Sequence, residues 1–135
     1  MATVSYSKLG GEYPMEFIKN NDSLYHQQLK ELRQKKSNKM CADCDRKPTT
    51  WASVNIGIFL CEECAQIHRG IGTHLSKVKS CMGSYLWHPD EILNLKNIGN
   101  KKASKKYTST YIKPNENTDY NTKRDYILDK YTPKL

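Results

Sequence analysis

At 135 residues the chain has room for one domain, and 37% hydrophobic against 27% charged residues allows only a small core. No apolar run approaches a membrane span, no charged start precedes an apolar stretch, Ala2 excludes N-myristoylation, and no prenylation box is present, so the expectation is a soluble, intracellular domain. The net charge of +8 is uneven: Leu95–Leu135 holds ten basic and four acidic residues, and Ala65–Ser80 carries Arg69, Lys77 and Lys79 with no acid, a field that favours an anionic partner or simply keeps the surface solvated.

Residues 1–22 read as an irregular extension, because Gly10-Gly11 and Pro14 break any period and Asn20-Asn21-Asp22 is turn-like. Asp22-Ser23 can cap a helix from Leu24 to about Lys36, with Tyr25, Leu29 and Leu32 on one face. Thr49–Val54 and Ile56–Leu60 are short, β-branched and aromatic, and with Asn55 between them they predict a tight hairpin. Glu62 to about Gly70 is a short helix stopped by Gly70 and Gly72, and Lys77-Val78-Lys79 alternates like one more strand. Pro89-Asp90-Glu91 opens a helix running to Gly99, and Asn100 can cap the next one to about Tyr107. A polar turn at Asn115–Asn121 precedes a final helix with Tyr120, Ile127 and Tyr131 at helical spacing, ended by Pro133. The predicted fold is therefore α+β: a small treble of short strands around a metal site, surrounded by about five or six helices. Residues 23–132 form the domain and 133–135 a tail.

The metal site rests on Cys41-Ala-Asp-Cys44, sixteen residues, then Cys61-Glu-Glu-Cys64. Each CxxC is a tight turn that aims two thiolates at one point, and two such turns supply the four sulfurs of a tetrahedral zinc site. Two redox motifs or a disulfide pair are the competing reading of the same cysteines. Four cysteines leave no position for a reacting water, so Cys41, Cys44, Cys61 and Cys64 predict one structural Zn²⁺ and argue against a zinc hydrolase. His68 lies four residues after Cys64 and reads as a supporting residue, while Cys81 reads as a small buried hydrophobe. Arg69, five residues beyond Cys64, sits about 140° around the helix and points away from the metal. Alone, such an arginine is an ordinary solvated side chain.

The run from Cys41 to Ser80 resembles the ArfGAP family. It shows CxxC, sixteen residues, CxxC, four residues and Arg69, with Trp51-Ala52-Ser53 after the first knuckle and Gly57-Ile58-Phe59 before the second. Also matching are Cys64-Ala-Gln-Ile-His68-Arg69, Gly72-Thr-His74-Leu-Ser76-Lys-Val78-Lys-Ser80, the Gly99-Asn100, Ala103 and Tyr107 pattern, and Asp129-Lys130-Tyr131. Two departures stand out: Trp87 follows Ser80 one residue late, with Ser84 in place of an acid, and Gly70 replaces a more polar residue.

The resemblance implies a GTPase activator that binds a GTP-bound small GTPase of the ADP-ribosylation factor family. It implies that Arg69 is an arginine finger inserted in trans. Trp51 would support that finger or touch the GTPase, with Ile56, Lys77 and Lys79 as further contact candidates. Such a protein would not itself be an enzyme but would complete a partner's active site. It would be cytoplasmic and peripheral on Golgi or vesicle membranes, with an anionic leaflet as a second partner. The alternative is a zinc-stabilised basic module that binds nucleic acid or protein without activating anything. Nucleic acid is disfavoured, because the basic residues are scattered lysines and the aromatics do not interleave as stacking platforms.

Overall fold

The computed structural model describes residues 3–134. In chain order the elements are β1 (Val4–Tyr6), β2 (Glu12–Pro14), α1 (Met15–Asn20), α2 (Asp22–Arg33), a 3₁₀ turn (Lys36–Asn38), β3 (Trp51–Ser53), β4 (Ile58–Leu60), α3 (Glu62–Gly70), β5 (Val78–Ser80), α4 (Pro89–Asn97), α5 (Gly99–Lys106) and α6 (Tyr120–Tyr131). The α+β architecture expected from the sequence is the one observed, with six helices around a small three-stranded sheet.

The sheet has order β4-β3-β5, antiparallel throughout, with Trp51 opposite both Leu60 and Ser80. The β3–β4 connection is wider than a two-residue turn at Asn55. It spans residues 54–57 and closes with Gly57 N donating to Ser53 O at 2.8 Å. Gly57 has φ +87°, and a Cβ there would meet the Ile98 side chain at 2.6 Å, so this turn needs glycine both for conformation and for the close approach of the α4–α5 junction. Asn100 is not the cap expected from the sequence; it lies inside α5 and acts as a substitute strand. Its side chain accepts from Phe59 N (2.7 Å) and donates to Phe59 O (3.2 Å) and Met40 O (2.9 Å), which satisfies the outer edge of β4.

Among the described residues, those before Asp22 are not irregular. Gly10, at φ +90°, lets the chain reverse, and β1 pairs with β2 in an antiparallel hairpin that leads into α1. The hairpin docks on the start of α4: Ser7 Oγ donates to Asp90 Oδ2 (2.5 Å), Lys8 N donates to Glu91 Oε2 (2.9 Å), and Ser5 Oγ lies 2.8 Å from His88 Nε2. Ile18 of α1 is fully buried with Tyr25, Leu29, Phe59 and Trp87. Deleting residues 1–21 should therefore lower stability by about 2 kcal/mol from Ile18 burial alone. Urea unfolding of the shortened chain checks this; an unchanged midpoint and slope would mean that the hairpin is dispensable.

Candidate metal centre and arginine site

The four cysteines converge between the first knuckle, the end of β4 and the first turn of α3. All are buried, their sulfurs lie within 4.8 Å of one another, and Cys44 Sγ and Cys61 Sγ are 3.6 Å apart with no disulfide between any pair. A tetrahedral ion with Zn–S bonds of about 2.3 Å requires sulfur–sulfur separations of about 3.8 Å. In each CxxC turn an amide is aimed at the first sulfur: Asp43 N to Cys41 Sγ at 3.5 Å and Cys64 N to Cys61 Sγ at 3.4 Å. Donors aimed at sulfur favour thiolate, so the set fits a cation of zinc's size and softness. Burial pushes the Cys41 thiol up, whereas hydrogen bonds led by that from Cys41 hold Cys61 low.

Cys61 has a second task. Its side chain caps α3, the one helix whose span, Glu62–Gly70, coincides with the sequence expectation. Eight residues beyond this cap, Arg69 is exposed in the last turn, with no hydrogen bond or ion pair among the described residues. Its Cζ stands 5.9 Å from the ring centroid of half-buried Trp51, at the outer reach of a cation–π contact. The structure thus brings two of the candidate contact residues together.

The others separate. Lys77 is half-exposed, its Nζ donating to Thr73 O at 2.9 Å. Ile56 is 3% exposed and packs in the core beside the cysteines, so it is no surface contact; the turn that carries it folds inward. Lys79 is 6% exposed and equally unavailable. Its Nζ donates to Glu91 Oε1 at 2.8 Å and lies 4.9 Å from the centroid of the Trp87 ring. Burial lowers its pKa, with the Glu91 charge opposing. The displaced Trp87 is itself fully buried, its indole N–H donating to Ser80 O at 3.0 Å. Cys81 is a buried thiol, pushed up to about 12 by burial, with the positive charge of Arg33 opposing.

Sequence reasoning missed Asp43, a fully buried carboxylate between the first two cysteines. His68 Nε2–H donates to its Oδ2 at 2.7 Å, and Lys130 Nζ (2.9 Å) and the Tyr131 hydroxyl (2.7 Å) donate to its Oδ1. His68 Nδ1 in turn meets Ser76 Oγ at 2.8 Å. Burial alone would raise this carboxyl, yet the His68 hydrogen bond, the charges of His68 and Lys130, and the Tyr131 hydroxyl together hold it at about 2. Asp43 therefore locks α3 and α6 onto the knuckle, which explains why His68 is not a metal ligand. Its only sequence signal was an acid inside a CxxC turn. Asp43→Asn leaves Lys130 buried against a neutral group and should cost about 3–5 kcal/mol. Thermal unfolding of the zinc-loaded variant measures this, and a loss under about 1 kcal/mol would contradict the locking role.

Comparison with known proteins agrees with this geometry. The ArfGap family model, described as "Putative GTPase activating protein for Arf", matches residues 26–135. UBA domain-containing protein 3 of Schizosaccharomyces pombe is 43% identical over 112 residues, covering 79% of this chain and 18% of that protein. An Arabidopsis thaliana protein named "Probable ADP-ribosylation factor GTPase-activating protein AGD15" is 38% identical over 106 residues, covering 78% of this chain and 44% of its own length. Among solved structures, the ArfGap domain of HIV-1 Rev binding protein superposes with a TM-score of 0.69 at 21% identity, covering 86% of this chain and 89% of that one, a likeness of fold. The chain thus spans less than half the length of these two curated relatives. With the cysteine cage, the following helix and the family match in agreement, the chain belongs to the ArfGap family.

Proposed function

We propose that this chain activates GTP hydrolysis by a GTP-bound small GTPase of the ADP-ribosylation factor family, with Arg69 as the finger inserted in trans. The observation that carries this reading is an exposed, unpaired Arg69 at the free end of a helix whose other end is a cage cysteine. Cys41, Cys44, Cys61 and Cys64 would hold one Zn²⁺. With four thiolates the ion has no open position, so it supplies fold rather than chemistry. The reacting groups belong to the GTPase, so the chain is a completing partner rather than an enzyme in its own right.

The proposed chemistry is electrostatic. Phosphoryl transfer spreads negative charge over the oxygens of the group in flight. A planar guanidinium offers two parallel donors to that charge and stays protonated at any physiological pH, while lysine offers only a point charge. Trp51 would limit the swing of Arg69 before docking, and the half-exposed Lys77 remains a candidate for the contact surface.

A cytoplasmic site on Golgi or vesicle membranes follows from the GTPase reading. No described helix is long and apolar enough to cross a bilayer. The lysines of α5 would supply attraction to an anionic leaflet instead, about 1 kcal/mol for each well-placed cation. The experiment is single-turnover GTP hydrolysis by several purified small GTPases with and without this chain. Acceleration confined to one ADP-ribosylation-factor-type member supports the reading, and none with any member refutes it.

A further inference from the structure

A second feature of the molecule lies apart from the cage. At the C-terminal end of α2, a depression of about 300 Å³ is lined by Lys30, Arg33, Lys39 and Lys47 beside Pro48 and Thr49, with no carboxylate in its wall. None of these four cations forms an ion pair among the described residues. Glu62 and Glu63 line the adjoining depression beyond Lys47 and Pro48, where Lys123 pairs with Glu63; Glu31 on α2 accepts from Gln27 Nε2 at 3.2 Å, and Asp45 pairs with Lys113.

Arg33 is held in place. Its Nε donates to Thr49 O at 2.6 Å and its Nη1 to Met82 Sδ at 3.3 Å, which leaves Nη2 without a protein acceptor among the described residues. Thr49 is itself buried, its Oγ1 donating to Asn38 O at 2.8 Å, so the floor of the depression is rigid. Basic residues often end a helix simply to offset its dipole. Here three of the last four carbonyls of α2 are already met, Lys30 O and Glu31 O by Gln34 N (3.2 and 3.3 Å) and Leu32 O by Asn38 Nδ2 (2.9 Å), and Lys39 and Lys47 are not on the helix at all.

The surroundings extend the same field. The 3₁₀ turn beside Lys39 packs on α5 through Asn38 Oδ1 and Asn100 N, 3.0 Å apart. On α5, Lys101, Lys102, Lys105 and Lys106 are all exposed and no acid accompanies them. A preset guanidinium plus three mobile ammonium groups matches a ligand carrying several phosphates better than a single carboxylate. The flanking lysines match a flat anionic plane around that ligand.

We propose that the Lys30–Arg33–Lys39–Lys47 depression binds the phosphorylated headgroup of a phosphoinositide, while the α5 lysines rest on the surrounding anionic lipid. The proposal deepens the membrane reading given above and rests on it, but it does not involve Arg69.

Vesicle sedimentation of the full chain tests it. Three compositions are used: phosphatidylcholine alone, phosphatidylcholine with phosphatidylserine, and a charge-matched mixture in which a few mole per cent of phosphatidylinositol bisphosphate replaces part of the phosphatidylserine. The bisphosphate should tighten binding about tenfold over phosphatidylserine at equal charge. Lys39→Gln with Lys47→Gln, both exposed positions, should abolish that gain while the thermal midpoint stays unchanged. Lys101→Gln with Lys105→Gln should instead weaken binding to phosphatidylserine and keep the gain. Soluble inositol trisphosphate should compete the gain away. Phosphatidylserine binding with no extra gain, or a gain that survives Lys39→Gln/Lys47→Gln, overturns the pocket alone. Binding of the soluble headgroup without any gain on vesicles overturns the lipid source. Binding to no anionic vesicle overturns the membrane reading as well.

Discussion

Replacing Arg69 with lysine or alanine is expected to return GTP hydrolysis nearly to the unassisted rate. A finger arginine is worth about 10³–10⁵ in rate, or about 4–7 kcal/mol of barrier. Fold stability should scarcely change, because Arg69 is exposed and its one intramolecular partner is Trp51 at the limit of contact. Surface changes of this kind stay within about 0.5 kcal/mol. The two readouts separate the roles: single-turnover hydrolysis reports on charge stabilisation, and thermal unfolding reports on folding. Lysine tests the harder point, since it keeps the charge and loses the fork. Loss of activity together with a lower unfolding midpoint would indicate a structural arginine instead.

Removing the metal is expected to have the largest effect on the fold itself. The cage joins the knuckle before β3 to the end of β4 and the start of α3, and Cys61 is both a prospective ligand and the α3 cap. Binding free energy at such a site is folding free energy, about 10–16 kcal/mol in small zinc modules at neutral pH, which is comparable to the whole stability of an ordinary domain. Chelation, or Cys44→Ser, should therefore unfold α3 and its surroundings and abolish activation with it. One zinc per native chain by elemental analysis, and loss of helical signal by circular dichroism on chelation, are the expected results. A metal-free chain that melts at the native temperature would show that packing alone maintains the fold.

The parts of this fold that were readable in the sequence are those set by short-range chemistry. Two CxxC turns, the stop at Gly70 and the alternation near Val78 depend on neighbours a few residues away, and β5 (Val78–Ser80) appears within one residue of its expected place. What stayed hidden depends on partners far along the chain. Asp43 meets Lys130 and Tyr131 across more than eighty residues, and no spacing rule connects a CxxC turn to a C-terminal helix. Lys79 looked like a surface cation because lysine usually is one; in the fold Glu91, His88 and the Trp87 ring gather around its ammonium. Gly10-Gly11 read as a break in structure, whereas Gly10 supplies the reversal that a hairpin requires. In the last helix Tyr120, at 48% exposure, faces solvent, and Tyr126 takes the buried place beside Ile127 and Tyr131.

Buried charge here works as alignment more than as stability. Burial works against the Lys130 ammonium, but the adjacent Asp43 carboxylate outweighs it and raises its pKa. Such a pair gains little over a well-packed apolar pair, yet it fixes which faces of α3 and α6 meet. That orientation determines where the last turn of α3, and hence Arg69, projects.

The most direct measurement is the single-turnover rate of a GTP-loaded ADP-ribosylation-factor-type GTPase at saturating zinc-loaded chain, native against Arg69→Lys. At saturation any difference in docking affinity disappears and only the contribution to the chemical step remains. A large acceleration by the native chain and almost none by the variant, with both equally folded, is the expected result. Comparable saturated rates for the two would remove the guanidinium from the reaction and, with it, the purpose assigned here to the cage.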